Sequence, residues 1–339
     1  MDLLQFMDAE PGYIDYPGSS EPIIAKGNKP SNVLLGEWSL EQRIEKFFEF
    51  CEAYDVREEP LLRQNPQQFS HRLHWDEMPY VYEMQHETDL EKLLHHTIVW
   101  SFSNEHWQTF RTLRDHGVDA MKKRFESQRH ARSDLFQIYY PKDTKVKNWL
   151  AEVPQKIAKD CYHLLENDEP VEMMWLASKL EKHCKEHYGF RNVMYPFKNL
   201  SRHIAMARPD LVDPESWVTP GTLSFHGMWQ VFGGKNLFGK TKYELNEEGQ
   251  YVPVNEQAKE LMRQFDYLAN HPKNPMKRHY NINIEDKACM WCKHLYIRHG
   301  IKGTTKQIPY EWIYPSDFNL KTGIWESIDE TVRDNRRSQ

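Results

Sequence analysis

The sequence lacks a long hydrophobic run. Its first residues form no apolar leader, and nowhere do about 20 apolar residues follow one another, the length that a membrane-spanning helix needs. It contains five cysteines, an odd number without the regular spacing of a disulfide framework. These absences predict a reduced, cytoplasmic protein with no membrane partner.

Two nucleotide-binding motifs are also missing. Neither GxGxxG nor GxxxxGK[ST] occurs, which argues against a dinucleotide oxidoreductase and a P-loop kinase. Cys289 and Cys292 have the spacing of one metal-ligand pair, but a structural zinc site needs a second pair at a set distance, and the sequence has none. We therefore predict no metal and no cofactor, and we interpret both cysteines as small core side chains.

Aromatic residues, in contrast, are abundant. They make up 13% of the 339 residues and include 11 Trp and 16 Phe, enough apolar surface to argue against disorder. The length suits one large or two ordinary domains. The net charge of -6 excludes a protein that coats nucleic acid through overall positive charge, although it is compatible with a local basic cleft.

Helical periodicity dominates the chain. Apolar residues recur at spacings of three and four in about eight to ten segments, several of them preceded by capping residues such as Ser39, Asp89 and Asn255. Residues 243–254 alternate instead like two strands around a turn. We predict a mainly α, multi-helix protein with one small β-hairpin. The predicted domains are an extended N-terminal arm (1–37), an N-terminal helical subdomain (38–140), a second helical domain (148–325) and a polar tail (326–339).

The most distinctive stretch lies between Tyr188 and Gly234. Its pattern predicts a short helix, a turn that holds Asp213, and another short helix after Pro220 and Gly221. A buried helical hairpin with a solvated basic face is one interpretation, and a phosphate-facing surface is the other. The basic residues of this short span are Arg191, Lys198, Arg202 and Arg208.

Asp213 also allows two interpretations, which are compatible. A carboxylate just after a helical hairpin is the feature that helix-hairpin-helix DNA glycosylases use beside an extruded base, and Trp217 and Phe225 could stack on such a base. Asp213 followed by Pro214 is equally typical of a helix start. His226, in the same turn-rich segment, is a further candidate.

A second group of candidates lies on the last predicted helix. Opposite charges on a largely apolar face are unfavourable to bury unless they pair or meet a ligand. Glu285 and Lys293 are therefore either a solvated pair at the helix edge or part of a site. The residues that share this face are Glu285, Cys289, Cys292, Lys293 and Tyr296.

Together the two segments resemble a phage family, the α-glutamyl/putrescinyl-thymine pyrophosphorylases or amino acid:DNA transferases. This family is related to the helical domain of 5-hydroxymethyluracil DNA kinases and, more distantly, to helix-hairpin-helix glycosylases. The first segment matches the family pattern with Asp213, Trp217, Pro220, Gly221, Ser224 and Gly227. The second matches it with Glu285, Cys289, Lys293 and Arg298.

The resemblance implies a helix-hairpin-helix glycosylase-like core and a transferase that acts on double-stranded DNA in the host cytoplasm. The enzyme would extrude 5-(pyrophosphoryloxymethyl)uracil, made with the help of a 5-hydroxymethyluracil DNA kinase, and replace its pyrophosphate with a free amino acid or polyamine. The implied residues are Asp213 or Glu285 for the amine, Lys293 and Arg298 for pyrophosphate, Trp217 as a stacking partner of the base, and Arg191, Lys198 and Arg202 for the DNA backbone. His226 is a further catalytic candidate, and Ser224 is a further candidate for substrate binding.

Two alternatives stay open. A helix-hairpin-helix DNA glycosylase would release a modified base and need no amine. A non-catalytic DNA-binding phage protein would bind DNA in a salt-sensitive way without changing it.

Overall fold

The structure is a computed structural model. The residues it describes are 39–55, 79–103, 110, 112–120, 149–190, 193–234, 236–248, 250–276, 281–298, 318–319 and 324–325. The predicted N-terminal arm, the polar tail and Arg191 lie outside the described residues.

Helices dominate the described chain, which confirms the prediction of a mainly α protein. None of the described helices is both long and apolar enough to cross a membrane. Residues 112–120 are helical, and we number the other α-helices of the described residues in chain order. They are α1 (Leu40–Asp55), α2 (Pro79–Met84), α3 (Leu90–Phe102), α4 (Trp149–Cys161), α5 (Met173–Tyr188), α6 (Met194–Ala207), α7 (Thr222–Phe232), α8 (Glu256–Ala269) and α9 (Asn281–Arg298).

The strands of the described residues are two or three residues long and form three pairs. The pairs are β1 (Val171–Glu172) with β2 (Val212–Asp213), parallel; β3 (Tyr243–Leu245) with β4 (Tyr251–Pro253), antiparallel; and β5 (Phe318–Asn319) with β6 (Ile324–Trp325), antiparallel. The β3–β4 pair is the predicted hairpin. The other two pairs were not predicted, because two residues are too few to show an alternating pattern.

Several of the sequence signals at helix ends are confirmed. Ser39 N donates to Gln42 Oε1 at 2.9 Å and Gln42 N donates to Ser39 Oγ at 3.3 Å, the two bonds of a capping box. Asp89 and Asn255 accept hydrogen bonds from backbone N–H groups in the first turns of α3 and α8. Gly189 ends α5 in the left-handed conformation, with φ of 64°.

Backbone contacts divide the chain into two compact units that interleave along the sequence. The first unit comprises Met1–Arg72 and Trp217–Gln307, and the second comprises Leu73–Ser216 and Ile308–Gln339. The consecutive domains predicted from the sequence are a different division of the chain. The first unit is discontinuous because α1 packs against α7 and α9, which follow much later in the sequence.

The core of the first unit surrounds α9. Helix α7 packs along α9, and α1 and α8 pack against it as well. The apolar stripe of α1 brings Phe47 and Phe50 onto the buried ring of Trp291, with ring centroids 6.3 and 5.2 Å away. Aromatic burial of this kind contributes much of the core energy of a helical unit.

The core of the second unit surrounds α6, which packs against α2, α3 and α5. From Pro196 to Ala207 every residue of α6 is buried, including its polar ones. Tyr80 stacks on Trp100 with ring centroids 5.7 Å apart, and Ser101 Oγ lies 3.0 Å from His203 Nδ1. The charged residues of α6, Lys198 and Arg202, therefore lie in the core of this unit rather than on its surface.

Candidate functional site

Glu285 joins α9 to the beginning of α7. Its Oε1 accepts a hydrogen bond from the backbone N–H of Gly221 at 2.7 Å and one from the hydroxyl of Ser224 at 2.8 Å. Gly221 is the N-cap residue of α7 and has no side chain with which to cap the helix. The buried carboxylate of Glu285 therefore supplies an acceptor at the helix N-terminus, where a negative charge is favourable.

The opposite end of α7 receives a positive charge. Arg43, from α1, donates a hydrogen bond from its guanidinium to the carbonyl of Phe232 at 3.4 Å. This carbonyl belongs to the last turn of α7, where cations are favourable. Side chains from two other helices thus complement both ends of the α7 dipole.

Gly227 makes the second close contact between α7 and α9. A Cβ at this position would lie 1.9 Å from the carbonyl oxygen of Ala288 and 2.6 Å from its carbonyl carbon. Only glycine allows the two backbones to approach this closely. Gly227 and Glu285 together fix one register between the two helices.

The two segments that the sequence singled out separately are therefore in direct contact. One contributes Gly221, Ser224 and Gly227, and the other contributes Glu285 and Ala288. Their spacing in the sequence does not indicate this contact. A glycine at position 227 and an acidic residue at position 285 were the available signals.

Three consecutive charged residues of α9 are buried: Glu285, Asp286 and Lys287. Successive residues of a helix point about 100° apart, so neighbouring structure covers α9 on several sides at this turn. Buried charges need partners and are frequent at functional sites. Sequence reasoning missed Asp286 and Lys287, although three adjacent charges in one helix were a usable signal.

The remaining candidates on α9 are Lys293 and Arg298, whose side chains lie outside the described part of the structure. Cys292 is buried and Cys289 is half-buried, which is compatible with the interpretation of both as core side chains. Within the described residues no three His, Cys, Asp or Glu side chains are arranged to hold a metal ion.

His226 lies in α7, two residues after Ser224 and therefore on a different side of the helix. It is 5% exposed, and burial lowers the pKa of its imidazole, which favours the neutral form. Its Nδ1 has no hydrogen-bond partner among the described residues. His226 is thus a buried neutral imidazole whose Nδ1 could still make a hydrogen bond.

Trp217 belongs to an aromatic cluster of the first unit. Its ring lies 5.8 Å from Tyr243 and 5.2 Å from Phe265, measured between centroids, and it is buried. A base could stack on Trp217 only if one of these neighbours moved. The predicted stacking role of Trp217 stays a prediction.

Asp213 lies in the second unit, on β2. Its Oδ1 accepts a hydrogen bond from the N–H of Glu215 at 2.9 Å, and its carbonyl accepts one from the hydroxyl of Ser216 at 2.6 Å. The helix start expected at Pro214 is wrong: the chain turns there, and the next helix begins only at Thr222. Asp213 therefore stabilises a turn through its own side chain.

The basic residues of α6 are buried in the second unit. Arg202 is 1% exposed and donates to Asn199 Oδ1 at 3.2 Å, while Lys198 Nζ lies 5.3 Å from the ring centroid of Tyr195. Arg208 pairs with Asp210 at 2.6 Å. Lys198 and Arg202 are not on the described surface, and their contact with a DNA backbone stays a prediction.

Comparison of the chain with protein-family models, curated proteins and solved structures returned no match. The family resemblance therefore rests on the residues quoted above. Among those residues, the structure brings Gly221, Ser224, Gly227 and Glu285 together.

Proposed function

We propose that this protein is a DNA-modifying transferase. It displaces pyrophosphate from 5-(pyrophosphoryloxymethyl)uracil in double-stranded DNA with an amine, either an amino acid or a polyamine, and so makes a hypermodified thymine. The observation that supports this proposal is the hydrogen bond between Ser224 and Glu285. It joins the two sequence segments that carry the family resemblance, as expected of parts of one functional core rather than of two chance matches.

The proposed fold is a helix-hairpin-helix glycosylase-like core. The assignment rests on the order of elements in the chain: α6 and α7 are consecutive, and the segment between them contains Asp213 and the Pro220–Gly221 turn. A fold of this kind would let the enzyme extrude the target base from the duplex.

The proposed reaction forms a C–N bond at the exocyclic methylene carbon and breaks the C–O bond to pyrophosphate, which leaves with the electron pair. The attacking amine loses one proton. We assign its deprotonation or positioning to Asp213 or Glu285; the two hydrogen bonds on Glu285 Oε1 favour a positioning role for that residue. His226 is the further catalytic candidate.

The remaining roles follow the family pattern. Lys293 and Arg298 hold the departing pyrophosphate, whose charge develops in the transition state. Trp217 and Ser224 are assigned to substrate binding, and Arg191, Lys198 and Arg202 are assigned to the DNA backbone. A 5-hydroxymethyluracil DNA kinase would supply the hydroxymethyl group in activated form.

The decisive experiment is a nucleoside digest analysed by mass spectrometry. DNA that carries pyrophosphorylated 5-hydroxymethyluracil is incubated with the protein and a mixture of amino acids and polyamines. We expect a new nucleoside, heavier than the hydroxymethyl nucleoside by one amine residue. Loss of the base without a new nucleoside would instead identify a glycosylase, and salt-sensitive binding without covalent change would identify a DNA-binding protein.

A variant tests the assignment on α9. Lys293→Ala should abolish amine transfer and leave DNA binding nearly intact, because the lysine is assigned to the leaving group. Lys259→Ala is the control, since Lys259 is an exposed lysine of α8 that pairs with Glu256 on the same helix. Unchanged turnover in Lys293→Ala would remove Lys293 from the site.

A further inference from the structure

Phe238 is one of the few large hydrophobic side chains that the described surface exposes, at 47%. The covered part of its ring packs edge-to-face on two residues of α7. The centroid distances are 5.7 Å to Phe225, at 69°, and 5.7 Å to His226, at 67°. Both of these residues are buried, so a half-exposed ring covers two buried ones.

His226 is the more informative of the two covered residues. Its Nδ1 is buried and has no hydrogen-bond partner among the described residues. A buried polar atom without a partner is unfavourable and needs an explanation. A ligand that replaced the ring of Phe238 could supply the missing hydrogen bond.

The segment that carries Phe238 contains two glycines. Gly234 and Gly239 precede and follow Phe238 with φ of 68° and 71°, a conformation that glycine adopts without strain. The backbone N–H of Phe238 donates to Asn236 Oδ1 at 2.9 Å, a bond within the segment itself. This hydrogen bond therefore does not tie the backbone of Phe238 to α7 or α8.

Both ends of the segment are anchored. Trp229 Nε1 donates to the carbonyl of Gly234 at 3.0 Å, and Asn255 Nδ2 donates to the carbonyl of Lys240 at 2.7 Å. Trp229 belongs to α7 and Asn255 caps α8. A displacement between these anchors leaves both helices in place.

We propose that Phe238 is a plug in a binding site for a single-ring aromatic heterocycle, the extruded pyrimidine of the DNA substrate. The pyrimidine takes the place of the phenyl ring against Phe225 and makes a hydrogen bond to Nδ1 of His226. This inference rests on the proposed function and specifies where the protein binds the extruded base of the DNA substrate.

The chemistry of the site favours a pyrimidine. A pyrimidine and a phenyl ring are both six-membered, so a pyrimidine matches in size the ring that it replaces, whereas the fused rings of a purine are larger. The polar edge of uracil carries an N–H donor between two carbonyl acceptors, and a neutral imidazole nitrogen can meet either group, depending on its tautomer. The ring of Trp217 is already covered by Tyr243 and Phe265, whereas the ring over His226 is half exposed.

The test is isothermal titration calorimetry of the full chain with the free nucleoside 5-hydroxymethyl-2′-deoxyuridine. Phe238→Ala should bind it about tenfold more tightly than the unchanged protein, because no plug has to be displaced. Phe238→Leu should give an increase of about threefold. Adding His226→Phe to Phe238→Ala should reverse the gain by about tenfold, because the hydrogen bond is lost while a ring is kept.

Tyr267→Ala is the matched control, since Tyr267 is also 47% exposed in the first unit. It should leave the nucleoside affinity unchanged, and thermal unfolding should show that each variant is folded. The proposal is overturned if the nucleoside binds to none of the proteins, if Phe238→Ala does not bind it more tightly, or if His226→Phe has no effect on binding.

The same experiments separate this inference from the proposed function. If the nucleoside affinities follow the expected pattern but the digest assay shows no amine transfer, the base site is supported and the transferase is refuted. Amine transfer with a nucleoside affinity that Phe238→Ala does not change would retain the transferase and refute the plug.

Discussion

The hydroxyl of Tyr80 is hydrogen-bonded to the hydroxyl of Thr97 in the core of the second unit, where both residues are fully buried. Thr97 Oγ1 donates its one proton to the carbonyl of Leu93 at 2.6 Å. Tyr80 must therefore be the donor to Thr97. Burial raises the pKa of Tyr80, so the phenol that donates this bond stays protonated.

This order of donors predicts unequal effects of two substitutions. Thr97→Val leaves the Tyr80 hydroxyl buried without its acceptor and should lower the free energy of unfolding by about 1–3 kcal/mol. Tyr80→Phe leaves the bond from Thr97 to Leu93 intact and should cost about 1 kcal/mol. In denaturant unfolding the double variant should lose less than the sum of the two. Additive losses would show that the two hydroxyls are not coupled.

Gly227→Ala should destabilise the first unit. The added Cβ meets the backbone oxygen of Ala288, which cannot rotate away as the end of a flexible side chain can. Overpacking of this kind costs typically 1–3 kcal/mol, and we expect about 3 kcal/mol or more. Thr222→Ala, an exposed position at the start of the same helix, should change the unfolding midpoint little. Equal midpoints for the two variants would contradict the close contact between α7 and α9.

Glu285 should tolerate Gln better than Ala. Glu285→Gln keeps an oxygen that can accept from Gly221 and Ser224, and should lower the free energy of unfolding by about 1 kcal/mol. Glu285→Ala removes both bonds and leaves a cavity, and should cost about 3 kcal/mol or more. Chemical denaturation distinguishes them. If Gln were as harmful as Ala, the charge of Glu285 rather than its hydrogen bonds would hold the helices together.

Acid should weaken the second unit through two adjacent histidines. Burial lowers the pKa of His95 to about 4 and that of His96 to about 3, whereas both have a pKa near 6.5 when unfolded. Below about pH 6.5 the unfolded chain binds protons that the folded chain does not. The free energy of unfolding should therefore fall as the pH drops from 6.5 to 4, by up to about 1.4 kcal/mol per pH unit for each histidine.

The variant His96→Phe tests this pH dependence, because it keeps a ring against Phe110 and removes the titrating group. Its free energy of unfolding should fall less steeply between pH 6.5 and 4 than that of the unchanged protein. His86→Phe, which changes an exposed histidine of the same unit, is the control. Parallel curves for His96→Phe and the unchanged protein would assign the acid sensitivity to other groups.

Local structure could be predicted from the sequence because its causes are local. The capping box joins Ser39 to Gln42, three residues later, and Asn255 caps α8 through the N–H of Ala258. The chain reversal at β3 and β4 depends equally on neighbouring residues. Such signals need no knowledge of what the helix or strand packs against.

The candidate site could be predicted only in pieces. Glu285 and Gly221 are 64 residues apart, and nothing in either segment specifies that they bond to each other. Lys198 and Arg202 were expected at a basic surface because charged residues are usually exposed. The packing of α6 against three other helices reverses that expectation, and such packing has no short-range signature.

The discontinuity of the first unit has a consequence during synthesis. Arg43 and Phe232, which bond at the end of α7, are 189 residues apart in the chain. At a ribosomal rate of about 5–20 residues per second, α1 emerges about 10–40 s before its partners. Throughout that interval α1 lacks the helices against which it packs in the folded unit, where Ile44, Phe47 and Phe48 are buried. We therefore expect α1 to be a binding site for the chaperones that receive the emerging polypeptide.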